Sequence, residues 1–248
     1  MVNVVALRPA PLACDTCAVR HRAVCGALSR SELQRLNDIA RFKKLQPGHQ
    51  ILADSEEPEY FANIVSGVVK LTKSFSDGRQ QIVGLQFASD FLGRPFRARS
   101  PYDAMAVTDV TLCTFDRKRF ETLTKEFPAL EHRMFEHALD ELDASQEWML
   151  VLGRKTAAEK VATLLLLIAR RMAVIGCSPD RIKDKSVHLE LPLTRSEMGD
   201  FLGLTIETVS RQLSRLKSAG VIGLDGGRGL MIPDIARLEE VCGGLNDT

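Results

Sequence analysis

The 248-residue sequence carries almost no net charge: 33 lysines and arginines face 32 aspartates and glutamates, for +1 at neutral pH. The balance holds in each half, with 19 basic and 20 acidic residues up to position 150 and 14 and 12 beyond it. Bulk attraction to a polyanion is therefore excluded, and any basic surface must be local. Long hydrophobic runs are also missing. The longest largely apolar stretch, Val161 to Ala169, is enclosed by Lys160 and Arg170, well short of the ~20 residues that span a bilayer. Leu12-Ala13-Cys14 has the look of a lipoprotein cleavage site, but no basic region precedes it and Arg8, Pro9 and Pro11 break the segment. A cytoplasmic protein without a membrane span is expected. No Ser-His-Asp, paired-carboxylate, phosphate-loop or nucleotide-fold signature occurs and the five histidines are scattered, so an enzyme is not expected.

What is present is a globular composition, 45% hydrophobic and 26% charged, with length for one large or two modest domains. Residues 1–28 hold Pro9, Pro11 and three cysteines with little apolar periodicity, so this arm is not expected to order itself by burial. Ser29 to Glu32 reads as a capping box opening a short helix through Leu33, Leu36, Ile39 and Ala40. Short β-rich runs follow at His49–Leu52, Tyr60–Val65, Val68–Lys73, Gln80–Phe87 and Asp103–Phe115, punctuated by Pro47-Gly48, Asp77-Gly78 and Gly93-Arg94-Pro95. That spacing predicts a jelly roll over 29–127. After Pro128 the pattern turns helical, and Phe135, Ala138, Leu142, Ser145, Met149 and Leu152 follow the three-four alternation of a coiled-coil seam over 128–152. Gly153 is expected to interrupt it. Thr156 to Glu159 caps a further helix, apolar on most faces and so expected to be buried, which ends near Gly176.

The last region, 153–248, predicts a winged helix-turn-helix. Thr194 to Glu197 caps a helix carrying Met198, Phe201 and Leu202; Gly203-Leu204 turns; Thr205 caps a second helix through Val209, Leu213 and Leu216. Burying those three leaves Ile206, Glu207, Ser210, Arg211 and Arg215 facing out. An arginine can donate twice to guanine and a glutamate can accept from the cytosine amino group, while Ser210 and the helix N-terminus, with Thr205, can hold phosphate. Glu207 and Arg211, four apart, are also expected to pair with each other. Val221–Leu224 and Leu230–Ile232 read as a hairpin around Asp225–Gly229, with Arg228 at its tip within reach of a DNA backbone. Double-stranded DNA is the expected partner, and near-neutral charge makes a homodimer necessary for tight specific binding.

Six cysteines remain. Cys14, Cys17 and Cys25 lie within twelve residues and can converge on one metal centre. His21 would complete a local set suited to zinc. Cys113 would make it all thiolate, suited to a [4Fe-4S] cluster or to zinc. Spacing does not separate iron from zinc. In Val110–Phe115, strand alternation puts Cys113 on the face opposite Val110 and Leu112. Cys177 and Cys242 have no partners in the pattern and read as structural or incidental.

A β-roll, a long helix and a winged helix carrying Leu202–Arg211 (LGLTIETVSR) resemble the Crp/Fnr superfamily of transcription regulators over residues 14 to 240. The expected fold is accordingly α+β: a cyclic-nucleotide-binding-like β-roll, a dimerisation helix and a winged helix-turn-helix. Glu207, Ser210 and Arg211 match the Fnr reading helix, which implies operator half-sites of the TTGAT type. Cys14, Cys17, Cys25 and Cys113 correspond to the ligands of the oxygen-labile [4Fe-4S] cluster of that branch, although the gap between Cys17 and Cys25 is similar to that of the FnrL and FnrN group and wider than in the enterobacterial regulator. FixK-type relatives lack the set. The resemblance further implies that Glu147 is the acidic position opposing pairing when the cluster is absent. It also implies polymerase contacts, at Asp77-Gly78 with sigma factor and at Ser178 with the alpha subunit. The cyclic-nucleotide branch uses Gly-Glu-Leu and Arg-Ser/Thr-Ala; here those stretches read Phe91-Leu92-Gly93-Arg94-Pro95 and Arg99-Ser100-Pro101, so no cyclic nucleotide is expected, although Arg97 and Arg99 could attract an anion. Zinc, haem or a cyclic nucleotide on the same scaffold is the alternative input.

Overall fold

The computed structural model describes residues 14–173 and 186–243. They divide into two compact units: residues up to Lys73 with Val83–Leu142, and Ser74–Ile82 with Asp143 onward.

In the first unit, two 3-10 turns (Cys14–Thr16 and Val24–Ala27) lead to α1 (Arg30–Ile39). The capping box is formed: the Ser29 amide donates to Glu32 Oε2 at 2.9 Å, and Glu32 N donates back to the Ser29 hydroxyl. The strands are β1 (Ala40–Leu45), β2 (Gln50–Leu52), β3 (Tyr60–Ser66), β4 (Val69–Ser74), β5 (Gln80–Gln86), β6 (Phe91–Leu92), β7 (Asp103–Ala106) and β8 (Val110–Asp116), followed by α2 (Arg117–Glu126) and the start of α3 (Pro128–Arg154). Two four-stranded sheets form, ordered β1-β8-β3-β6 and β2-β7-β4-β5. One apolar core, with Ile64, Val69, Leu71, Ala104, Val110 and Leu112, joins residues of both sheets. A second lies on the opposite face of β8 and β3, where Phe61, Phe91, Phe115 and Phe120 pack ring to ring at 5.3–6.0 Å. Each buried aromatic of this kind contributes about 1.5–3 kcal/mol.

The arm overturns one expectation. Ala23, Val24, Cys25 and Leu28 are buried in the phenylalanine core together with Leu33 and Leu36 of α1 and Leu130 of α3. The segment orders by burial after all, through closely spaced small and aliphatic residues that follow neither a helical nor a strand period. Two further corrections concern boundaries. The run Asp103–Phe115 is two strands, broken at Val107–Asp109 where Val107 N bonds Val68 O. Ala40–Leu45 is a strand, paired residue for residue with β8.

In the second unit the C-terminal half of α3 carries Trp148, stacked on Phe201 with centroids 4.5 Å apart. Gly153 does not interrupt α3, which continues to Arg154. There α4 (Ala157–Ala173) buries Val161, Leu164, Leu165 and Ile168 as expected of an apolar helix, with its last described residue at Ala173. Then come β9 (Val187–Glu190), α5 (Arg195–Leu202), α6 (Ile206–Ser218), β10 (Gly223–Asp225), β11 (Gly229–Ile232) and α7 (Ile235–Val241). The hairpin gains a third strand that the sequence did not announce, in the order β10-β11-β9.

Candidate DNA interface and thiol pocket

Local chemistry builds the helix-turn-helix. The Thr194 hydroxyl accepts from Glu197 N at 3.2 Å and the Glu197 carboxylate accepts from Thr194 N at 2.8 Å, which fixes the start of α5. Gly203 ends it with φ +62, a left-handed conformation that side chains resist. Thr205 then accepts from Thr208 N at 3.2 Å and starts α6. Gly199 permits the tight turn: a Cβ there would stand 2.6 Å from the Leu204 carbonyl oxygen. With Val209, Leu213 and Leu216 buried, Ile206, Glu207, Arg211 and Arg215 are exposed and Ser210 is half-buried.

The expected Glu207–Arg211 ion pair is not formed. Hydrogen bonds from its own backbone N–H and from the Thr205 hydroxyl hold Glu207 below the usual carboxylate range, so it is a charged acceptor at neutral pH. Arg211 Nη2 instead donates to Thr208 Oγ1 at 3.3 Å. Each charge therefore prefers the first turn of its own helix to its neighbour, and both remain at the surface. In the wing, exposed Arg228 turns back, with Nη1 3.5 Å from the Pro192 carbonyl.

Along α3, Phe135, Leu142 and Met149 are exposed, at 61%, 51% and 68%, as is Ser145, and Leu152 is half-buried. Ala138 and Glu147 are exposed too. Leu139 and Leu150, outside the predicted seam, widen this apolar stripe.

The four predicted thiol ligands come together. Cys14, Cys17, Cys25 and Cys113 line one pocket with Arg20 and Asn63, while His21 is exposed and absent from the lining. Cys113 faces the phenylalanine core, opposite Val110 and Leu112, as alternation requires. Burial, and then the proximity of Cys17 and Cys14, pushes the Cys25 thiol up to about 12. Cys113 is raised as well, by burial first and by Cys25, Cys14 and Cys17 after it. Cys14 Sγ donates to Asn37 Oδ1 at 3.3 Å. Among the described residues, no three His, Cys, Asp or Glu side chains are gathered closely enough to share a single metal ion. Cys242 is buried apart from this group, and Cys177 lies outside the described residues, as does Ser178. Asp77 and Gly78 form the tip between β4 and β5, where Gly78 has φ +86 and Asp77 Oδ2 holds Arg79 Nε at 2.8 Å.

Residues 42–127 match the cyclic nucleotide-binding domain and residues 159–241 the Crp-like helix-turn-helix domain. The chain is 48% identical to a probable transcriptional activator of Rhizobium leguminosarum bv. viciae over 93% of both chains. It is 46% identical to the transcriptional activator protein FnrL of Cereibacter sphaeroides over 94% of this chain and 93% of that one. It belongs to the Crp/Fnr family of transcription regulators. The structure of FixK2 from Bradyrhizobium japonicum superposes with a TM-score of 0.74 at 32% identity, covering 83% of this chain and 98% of that one.

As a Crp/Fnr regulator the chain is a DNA-binding protein of a non-enzymatic family, and no described helix is long and apolar enough to cross a membrane. Arg94, Arg97 and Arg99 line a small hollow together with Ser100 and Tyr102. The Ser100 hydroxyl is committed to the Tyr102 carbonyl at 2.6 Å. Sequence reasoning missed Asn63, Asn37 and Arg20 around the thiols. The available signal was an amide, Asn63, inside the otherwise apolar run Tyr60–Val65.

Proposed function

We propose that this regulator senses oxygen through a [4Fe-4S] cluster held by Cys14, Cys17, Cys25 and Cys113, and that the cluster-bound form is a homodimeric activator at TTGAT-type palindromes of anaerobic or microaerobic genes. The observation that carries the reading is the convergence of three arm thiols and one strand thiol on a single pocket. Four thiolates form the donor set of such a cluster. The same four thiolates could also hold zinc, so metal analysis decides between the two. Buried neutral thiols must lose protons to ligate, so binding and deprotonation are linked. The resemblance of the cysteine set to that of the Fnr branch implies the same input.

When bound, the cluster would supply an oxygen-labile tie between the arm and the roll. The protein residues do the rest. Cys14, Cys17 and Cys25 hold the arm against β8, and Arg133 of α3 donates to the Arg22 carbonyl at 3.3 Å, so the arm touches the first turns of the long helix. The exposed stripe of Phe135, Leu142 and Met149 gives α3 a surface for a second copy. A tenfold change in dimerisation needs only about 1.4 kcal/mol, within reach of the like charges that paired Glu147 side chains would bring together. Glu207 and Arg211 read base edges and Ser210 holds phosphate. The Asp77-Gly78 tip offers the sigma-factor contact.

The test is anaerobic purification followed by iron, sulfide and zinc analysis, with an absorption spectrum and operator binding measured before and after air. Four irons per chain and operator binding lost together with the iron–sulfur absorption are expected. Zinc alone, or operator binding indifferent to air, would refute the reading.

A further inference from the structure

Among the described residues, Asn63 is the one amide lining the thiol pocket. It is 2% exposed, and it lies directly across the ladder from Cys113, since β3 and β8 pair Asn63 with Cys113. Cross-strand partners share a face, so both side chains point to the arm. Its Nδ2 lies 3.8 Å from Cys25 Sγ, at hydrogen-bonding distance for sulfur. Its Oδ1 meets no donor.

A residue chosen only to stabilise this strand would not look like this. Its neighbours Phe61, Ala62 and Ile64 are fully buried and apolar, and leaving one end of a buried amide unsatisfied is destabilising. The end that is satisfied faces a sulfur, and only weakly, because a neutral thiol is a poor acceptor. A ligating thiolate is a far better one, and hydrogen bonds to charged groups are about twice as strong as neutral ones. Partners of this kind orient ligands and hold the centre in metal sites generally.

We infer that Asn63 is a positioning residue of the pocket: its side-chain amide donates to the sulfur of Cys25 when that sulfur is a ligand, holding Cys25 in the donor set. This rests on the cluster reading above. It assigns to β3 a part in the site beside that of Cys113, and it makes an otherwise destabilising amide useful only in the loaded protein.

The experiment compares the full-length chain with Asn63→Leu, which keeps the branching and heavy-atom count and removes the donor, and with Asn63→Asp, which keeps shape and presents acceptors to the sulfur. Each is reconstituted anaerobically, and iron release to an excess of chelator is followed by absorbance, while the metal-free proteins are unfolded in urea. Both variants are expected to release iron at least fivefold faster than the parent. Metal-free Asn63→Leu is expected to be as stable as the parent or more so. Release at the parental rate in both variants would overturn the inference. So would a metal-free Asn63→Leu that unfolds at lower urea while Asn63→Asp releases iron normally, since that marks a structural residue. A parent chain that takes up no iron–sulfur cluster refutes the sensor reading itself, which separates the two failures.

Discussion

The same substitution, glycine to alanine within a helix, should act in opposite directions at two positions. Gly199 lies within α5, buried against the turn; Gly153 lies near the end of α3, with nothing within 4 Å of where a Cβ would stand. Helix propensity alone favours alanine by about 1 kcal/mol at each. At Gly153 nothing opposes that gain. At Gly199 the added Cβ would sit 2.6 Å from the Leu204 carbonyl oxygen. The turn cannot simply retreat, because Leu204 N donates to Gly199 O at 3.0 Å. Overpacking a rigid site costs about 1–3 kcal/mol and losing the hydrogen bond about 1 more. Set against the propensity gain, Gly199→Ala should destabilise the reading unit by roughly 1–3 kcal/mol while Gly153→Ala stabilises by about 1. Trp148, the single tryptophan, stacks on Phe201 of α5, so its fluorescence reports this unit directly during urea unfolding. With a slope of about 1–3 kcal/mol per molar for a domain of this size, the Gly199→Ala midpoint should fall by about 1 M at unchanged slope. A midpoint equal to or above that of the parent would refute the close-approach argument.

Cys113→Ser should lose cluster uptake and operator binding together, measured by anaerobic reconstitution and fluorescence anisotropy; a brown, DNA-competent protein would remove Cys113 from the ligand set. Arg211→Ala should weaken operator binding by 5- to 150-fold, the worth of about 1–3 kcal/mol for a bidentate base contact, with non-specific DNA affected far less. Glu147→Ala should yield a dimer that binds DNA in air, seen by analytical ultracentrifugation; an aerobic monomer would dispose of the repulsion argument. Glu159 is held below the usual glutamate range by the Thr156 backbone N–H and hydroxyl. Its folded-state value is depressed, so its contribution to stability is present above the unfolded glutamate range and disappears as pH falls through the folded value. Glu159→Gln should flatten that acid-side loss in a stability–pH series, and an unchanged profile would show that the cap is not coupled to unfolding.

Where a structural rule acts over three or four residues, the chain was legible. The capping boxes at Ser29, Thr156 and Thr194, the Gly203 turn and the exposed face of α6 all follow from local spacing, and the alternation around Cys113 placed that thiol on the correct side of β8. What escaped depends on distant partners. Ala40–Leu45 carries Arg41, Lys43 and Lys44 and becomes a strand because β8 offers a ladder at the sheet edge. Asn63 acquires meaning only through register with Cys113. Gly153 was expected to stop α3, but an isolated exposed glycine costs too little to end a helix held from both sides. The Glu207–Arg211 pair failed because backbone and hydroxyl groups of the helix start competed for both charges. The arm was misjudged because Ala23, Val24 and Leu28 have no period to detect.

The burial of that arm has a further consequence. Ala23, Val24 and Leu28 share one core with Phe120, Phe127 and Leu130, so the segment is masonry in the wall it was expected merely to lean on. Releasing it uncovers aliphatic and aromatic surface on α2 and at the root of α3. On the proposed reading, signal loss would thus change colloidal behaviour, with the inactive molecule the stickier one.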